Sequence, residues 1–95
     1  MKVAIAQISP VWLNKSETLQ KVVLAIEEAA KNGASIVCFS EAFVPGYPFW
    51  LEHTNAASFD SEFQKTVHAH YVSNGIDIVA GDLNDVTKIC KDLNI

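Results

Sequence analysis

Basic charge is scarce in this sequence, which has 7 Lys and Arg residues against 11 Asp and Glu, a net charge of −4 and an isoelectric point near 5.1. A surface that binds nucleic acid needs a basic patch that displaces counterions from the phosphates. The sequence contains no basic stripe that could form one. We therefore expect no nucleic-acid partner.

Long apolar runs are also absent. A membrane-spanning helix needs about 20 consecutive apolar residues, whereas the apolar stretches here are short and interrupted by charged residues. The opening run Val3–Ala6 is too brief for a secretory signal and lacks the small-residue cleavage site of one. We expect no membrane association and a cytoplasmic location.

Cysteine and histidine are few and poorly spaced for metal or redox chemistry. Cys38 and Cys90 lie far apart in different predicted elements, and we expect both to be buried hydrophobes rather than nucleophiles. His68 and His70 point in different directions on a helix, and His53 has no assignable role in its loop. The sequence therefore predicts no metal site and no cofactor.

The length of 95 residues allows one domain at most. A chain of this size buries only roughly 60–65% of the surface that it exposes when unfolded. Its hydrophobic content of 49% and charged content of 19% are rich for such a small chain. With no repeat, low-complexity tract or second domain boundary, this composition predicts part of a larger core.

The first half has the pattern of a β-α-β unit. The apolar segments Val3–Ile8 and Ile36–Phe39 predict strands covered on both faces. Between them, Asn14 and Glu17 predict a capping box at the start of a helix, and Gly33 predicts its left-handed end. The short return loop makes the strands parallel, with a right-handed crossover. The apolar face of the helix comprises Leu19, Val22, Val23, Ile26, Ala29 and Ala30.

The second half is predicted to be mainly helical. Residues 44–58 indicate a loop, and Ser58 is a candidate N-cap for a helix that runs to about Val72. The segment Ile76–Ala80 alternates like a strand, although a short extended approach to the next helix would look the same. Asp82 is the candidate cap of that last helix. Its apolar face comprises Leu83, Val86, Ile89, Cys90 and Leu93. A further strand should follow such a pattern, so we expect a truncated chain.

The carboxyl end of the second strand carries Glu41, directly before a loop rich in glycine and proline. In α/β proteins the carboxyl ends of the strands border the ligand crevice. The neighbouring side chains are mostly apolar: Phe39, Ala42, Phe43, Val44, Tyr47, Phe49 and Trp50. A carboxylate there is expected to find a cationic partner or to have its pKa raised by desolvation, as in general acid/base sites. The alternative is an ordinary solvated charge at a strand end.

Three segments resemble the amino-terminal part of the nitrilase superfamily of carbon–nitrogen hydrolases, namely Lys2–Pro10, Ala29–Val37 and Phe39–Pro48. The resemblance covers essentially all 95 residues. The sequence from Glu41 to Pro48 is the most specific part and is closest to the nitrilase and cyanide-degrading branch. Ser40 departs from the proline that is usual there, which we expect to alter the rigidity of the strand end more than the chemistry.

The resemblance implies an αββα sandwich, of which residues 1–95 are the amino-terminal fragment of a single carbon–nitrogen hydrolase domain. It also implies a homo-oligomer when the domain is complete, and a nitrile or related small molecule as substrate. The family catalysts are a glutamate, a lysine and a cysteine. Only the glutamate maps here, onto Glu41, as the general base that activates the cysteine thiol. Tyr47, Phe49 and Trp50 are candidate substrate-binding residues.

The lysine and the cysteine belong to downstream motifs that this chain lacks. Cys38 precedes Glu41 in the wrong motif, and Lys65, Lys88 and Lys91 have no matching context. Residues 1–95 alone are therefore not expected to be active. Two interpretations remain: an amino-terminal part of a nitrilase-type hydrolase, or a catalytically inactive truncated protein with at most a binding or subunit-association role.

Overall fold

The computed structural model describes residues 1–95 as a small parallel sheet with four helices, which confirms an incomplete α/β fold. In chain order the elements are β1 (Val3–Ala6), α1 (Lys15–Lys31), β2 (Ile36–Phe39), α2 (Trp50–His53), α3 (Glu62–Ser73) and α4 (Asn84–Leu93). None of the four helices combines the length and the apolar character needed to cross a membrane.

The β-α-β unit forms as predicted. Strands β1 and β2 pair in parallel, from Val3 opposite Ile36 to Ala6 opposite Phe39. Strand β1 ends at Ala6 rather than at Ile8, because β2 offers only four residues for pairing.

The predicted ends of α1 are largely confirmed. The Asn14 side chain accepts a hydrogen bond from the backbone N–H of Glu17 at 3.1 Å, and Gly33 has a φ of +78° just after the helix. The reciprocal bond of the capping box does not form, since the N–H of Asn14 donates to the carbonyl of Val11 at 3.0 Å instead.

The core lies where α1, β2 and α4 meet. Val22 and Ile26 of α1 pack with Phe43, which follows β2. Against this cluster lie the partly buried side chains of Val37, Phe39, Val44, Val86, Ile89, Cys90 and Ile95. The position of Cys90 thus agrees with its prediction as a hydrophobe.

The other face of the sheet is exposed, and this corrects the prediction for Cys38. Successive side chains of a strand point to opposite faces, so Cys38 points away from the face that carries Val37 and Phe39. It is exposed beside Ile5, which is 75% exposed. The expectation that Cys38 is buried is wrong for this chain.

Two predictions for the middle of the chain are corrected. The segment predicted as an unstructured loop contains the short helix α2. Helix α3 begins after Ser61 rather than at Ser58, because the hydroxyl of Ser61 accepts from the N–H of Gln64 at 3.4 Å. Phe59 therefore lies outside the helix and is 99% exposed.

Residues 76–83 also differ from prediction. No strand forms at Ile76–Ala80, because the Asp77 carboxylate accepts from the N–H of Ala80 at 2.9 Å and closes a turn. Asp82 does not cap α4, whose N-cap is Leu83. Its carboxylate instead accepts from Lys15 Nζ at 2.6 Å and from the N–H of Asp77 at 2.7 Å.

Candidate active site

Glu41 lies in a tight turn directly after β2, at the carboxyl end of the sheet. The next residue, Ala42, has a φ of +53°, a left-handed conformation that costs a non-glycine residue roughly 1–2 kcal/mol. The Ala42 carbonyl accepts from the N–H of Gly46 at 2.9 Å, which closes the turn. Such costly backbone conformations concentrate at functional sites, where the surrounding structure holds them.

The environment predicted for Glu41 does not form within this chain. Glu41 is exposed and has neither a hydrogen-bond partner nor an ion-pair partner. Phe43, one of the apolar neighbours expected near it, turns into the core, 6% exposed, with its ring centroid 5.4 Å from that of Phe39. In these 95 residues Glu41 is a solvated carboxylate, and its catalytic role stays a prediction.

The three candidate substrate-binding residues fall into two groups. Tyr47 and Phe49 form an exposed pair, with ring centroids 5.2 Å apart and each residue 52% exposed. Trp50 is only 6% exposed and packs on Tyr71, with ring centroids 4.6 Å apart. The structure therefore leaves Tyr47 and Phe49 open to a ligand and places Trp50 in a structural contact.

The segment Trp12–Leu13, which sequence analysis did not select, holds the loop after Glu41. The Trp12 indole N–H donates to the carbonyl of Tyr47 at 2.9 Å, and the N–H of Leu13 donates to the carbonyl of Pro45 at 3.1 Å. A Cβ on Gly46 would lie 2.5 Å from Trp12 Cδ1, so only glycine fits against the indole. The one available signal was that Trp12 follows β1, since parallel strands end at the same edge of a sheet.

The main cavities lie away from Glu41. A groove of about 640 Å³ runs between α1 and α4, and a second cavity of about 660 Å³ lies between Pro45 and residues 71–79. A third, of about 310 Å³, lies beside β1. Glu41 lines none of these three, and no group of three or more His, Cys, Asp or Glu side chains is arranged to hold a metal ion.

Comparison with known proteins identifies the family. Residues 2–88 match the sequence model of the family described as Carbon-nitrogen hydrolase. The chain belongs to the carbon–nitrogen hydrolase family.

Similar curated proteins point to the nitrilase branch. The chain is 33% identical over 94 residues to an arylacetonitrilase of Aspergillus oryzae, an alignment that covers 99% of this chain and 25% of that protein. It is 47% identical over 66 residues to a nitrilase of Meyerozyma guilliermondii, which covers 70% of this chain and 20% of that protein. An aliphatic nitrilase of Rhodococcus rhodochrous is 39% identical over 77 residues, with 81% and 20% covered.

The chain spans about a quarter of the length of the curated relatives it matches. These findings confirm the resemblance to the amino-terminal portion of the nitrilase superfamily. They also confirm that the chain is a hydrolase-family fragment with an incomplete nitrilase-like α/β fold.

Proposed function

We propose that this chain supplies the general base, Glu41, of a nitrilase-type hydrolase that converts a nitrile to a carboxylic acid and ammonia. The observation that carries the proposal is the position of Glu41. It follows the carboxyl end of a parallel strand, within the loop that resembles the family motif, in a chain that belongs to the family. Two relatives are named arylacetonitrilase and nitrilase, which supports a nitrile as the substrate class.

In the proposed reaction, Glu41 accepts the proton of a cysteine thiol. The resulting thiolate attacks the nitrile carbon, and the nitrile nitrogen takes up a proton to give a covalent thioimidate. Water then adds to that carbon, ammonia leaves, and a second water releases the acid and restores the thiol. A lysine stabilises the charge that develops. Both the cysteine and the lysine lie outside these 95 residues.

The solvated state of Glu41 is compatible with this role when the rest of the domain covers it. The exposed pair Tyr47 and Phe49 lies in the same loop and offers apolar surface for the organic part of a nitrile. Covering this loop would exclude water from the carboxylate and the substrate. Glu41, Tyr47 and Phe49 are therefore the residues of this chain that we assign to the site, whereas Trp50 packs on Tyr71.

The second candidate function is subunit association without catalysis. It is favoured by the exposed apolar face of the sheet, where Val3 is 49% and Ile5 75% exposed. Large exposed apolar patches mark interaction surfaces. For the hydrolase we further propose a homo-oligomer and a cytoplasmic location, the latter because Cys38 and Cys90 are free thiols, as is usual in a reducing compartment.

The test uses a complete domain that begins with these 95 residues and continues with the remaining sequence of a relative such as the Meyerozyma nitrilase, here called the completed domain. Glu41→Gln should lower nitrile turnover by about 10²-fold or more, because a positioned base contributes 10²–10⁴-fold. Glu41→Asp should also be slow, since the shorter side chain retracts the carboxylate. Ammonia release per folded protein is the measurement.

Glu52→Gln is the matched control, since Glu52 is an exposed glutamate of α2 and receives no role here. It should retain turnover within about twofold, as expected for an exposed position outside the site. If Glu41→Gln were as active as Glu52→Gln, Glu41 would not be the base.

A further inference from the structure

Thr18 is the only fully buried polar side chain of the chain, with 0% of its surface exposed. Its hydroxyl accepts a hydrogen bond from the N–H of Val11 at 3.1 Å and donates one to the carbonyl of Val11 at 2.9 Å. A helical threonine usually bonds to the carbonyl four residues before it. Thr66 and Thr87 do so here, through the carbonyls of Glu62 and Leu83.

Thr18 therefore fixes a loop rather than its own helix. Both backbone groups of Val11 are occupied, so the position and direction of the chain that enters Trp12 and Leu13 are set by α1. Leu13 has a φ of +53°, which a non-glycine residue adopts only when its neighbours hold it.

The next contacts lead from this segment to the Glu41 loop. Trp12 donates through its indole to the carbonyl of Tyr47, and the N–H of Leu13 donates to the carbonyl of Pro45. The Cδ1 edge of the indole lies against Gly46. The N–H of Gly46 in turn donates to the carbonyl of Ala42, the residue after Glu41. The contacts are thus continuous from the first turns of α1 to the backbone beside the carboxylate.

We propose that Thr18 and Trp12 are positioning residues that orient Glu41 for proton transfer, an inference that rests on the function proposed above. Glu41 has no side-chain partner of its own in this chain, so its orientation depends on the backbone that carries it. A misplacement of about 1 Å can cost roughly 10²-fold in rate. The contacts through Thr18 and Trp12 restrain that backbone at Tyr47, Pro45 and Gly46.

The test compares Thr18→Val with Thr18→Ser in the completed domain. Valine keeps the shape of threonine without the hydroxyl, whereas serine keeps the hydroxyl. Thr18→Val should lower kcat by about 10-fold or more with KM changed less than about threefold, since an interaction that aligns the base acts in the transition state. Thr18→Ser should restore kcat to within about threefold of the parent. Hydrogen–deuterium exchange of residues 42–47 should be faster in the valine variant only.

Two further variants separate positioning from folding. Thr66→Val removes an exposed helical hydroxyl and should leave kcat and the exchange of residues 42–47 unchanged. Trp12→Phe keeps an aromatic ring but removes the N–H donor, and it should lower kcat about 3- to 10-fold even if Thr18→Val does not fold. All rates are normalised to the folded fraction.

Three results would overturn the inference. The first is unchanged kcat in both Thr18→Val and Trp12→Phe, and the second is an equal loss of kcat in Thr18→Val and Thr18→Ser. The third is a Thr18→Val variant with a higher KM and an unchanged kcat. Each of these leaves the proposed function standing provided that Glu41→Gln is inactive. If the Glu41→Gln variant were active, Glu41 would not be the base. The proposed function would then be wrong, and Thr18 and Trp12 would have no base to position.

Discussion

Residues 1–50 and residues 51–95 differ in how well they are buried. All nine buried residues of the chain lie in the first region, from Thr18 to Trp50, and neither α3 nor α4 contains one. The first region holds the sheet, the longest helix and the loop after Glu41. The second region exposes large apolar side chains, with Phe59 at 99%, Val79 at 98% and Ile78 at 74%.

The difference in burial shows that residues 1–50 contain the packed part of the chain, whereas much of the apolar surface of residues 51–95 stays exposed. The radius of gyration is 15.8 Å, whereas a compact domain of this length has roughly 12 Å. The site loop belongs to the packed region and is held there by Trp12 and Thr18. Apart from the partly buried residues of α4 that pack on the core, the second region supplies apolar surface that lacks a covering layer within these residues.

Replacing isoleucine by alanine should change the free energy of unfolding much more in the first region than in the second. Ile26→Ala should destabilise the 95-residue chain by about 2–4 kcal/mol, because Ile26 is 1% exposed and its loss leaves a cavity. Ile78→Ala should cost less than about 0.5 kcal/mol, since its side chain is largely in solvent. Urea unfolding monitored by tryptophan fluorescence measures both.

Equal costs for Ile26→Ala and Ile78→Ala would show that the two regions are packed to a similar extent. A large cost for Ile78→Ala would mean that the second region packs more tightly in solution than its exposed side chains indicate.

A smaller effect is expected at the ion pair that joins the two regions. Lys15 Nζ lies 2.6 Å from Asp82 Oδ2, and the Asp82 side chain is 19% exposed. The hydrogen bond from Lys15 lowers the pKa of the Asp82 carboxyl below its ordinary value, and the hydrogen bond from the N–H of Asp77 lowers it further by a smaller amount. The folded state therefore binds fewer protons than the unfolded state at this site. The stabilisation is present above the ordinary carboxyl pKa of about 3.9 and is lost as the pH falls through the lowered pKa.

Asp82→Asn should make the stability of the chain less dependent on pH below about pH 4, where the parent loses stability. Asp92→Asn is the control, because Asp92 is exposed and makes no hydrogen bond or ion pair. Thermal unfolding between pH 2 and pH 6 tests the pair of variants. If Asp82→Asn followed the pH dependence of the parent, the ion pair would not couple the two regions.

The β-α-β unit was predictable because its signals are local and mutually consistent. Asn14 and Gly33 mark the two ends of a helix with a continuous apolar face, and a short run rich in β-branched residues lies on each side of it in sequence. The position of Glu41 at the end of a strand followed from the same pattern.

The second region was predicted less well because side-chain hydrogen bonds, two of them local and one between distant residues, override its local sequence signals. Ser58 was the predicted cap of α3, whereas it is Ser61 that accepts from the N–H of Gln64. Asp77 closes a turn where alternation favoured a strand, and Asp82 pairs with Lys15, 67 residues away in sequence. Asp82 consequently does not cap α4.

The support of the Glu41 loop could not be predicted from the sequence. It depends on Thr18 bonding to Val11 and on Trp12 meeting Tyr47, 35 residues away. Neither Thr18 nor Trp12 is part of a sequence motif that would indicate its role. Thr18 also lies on the helix face where an apolar residue would be expected. The exposure of Cys38 was missed for a similar reason, since an apolar strand does not reveal which of its faces is covered.

The most direct test of the account is ammonia release from aliphatic and aromatic nitriles by the purified 95-residue chain, with its Glu41→Gln variant as the blank and the completed domain as the positive control. A base without its cysteine has no nucleophile to activate. We predict no release above the blank from the 95 residues and turnover by the completed domain. Release by the 95-residue chain above the blank would contradict the account, because it would require a nucleophile within these residues.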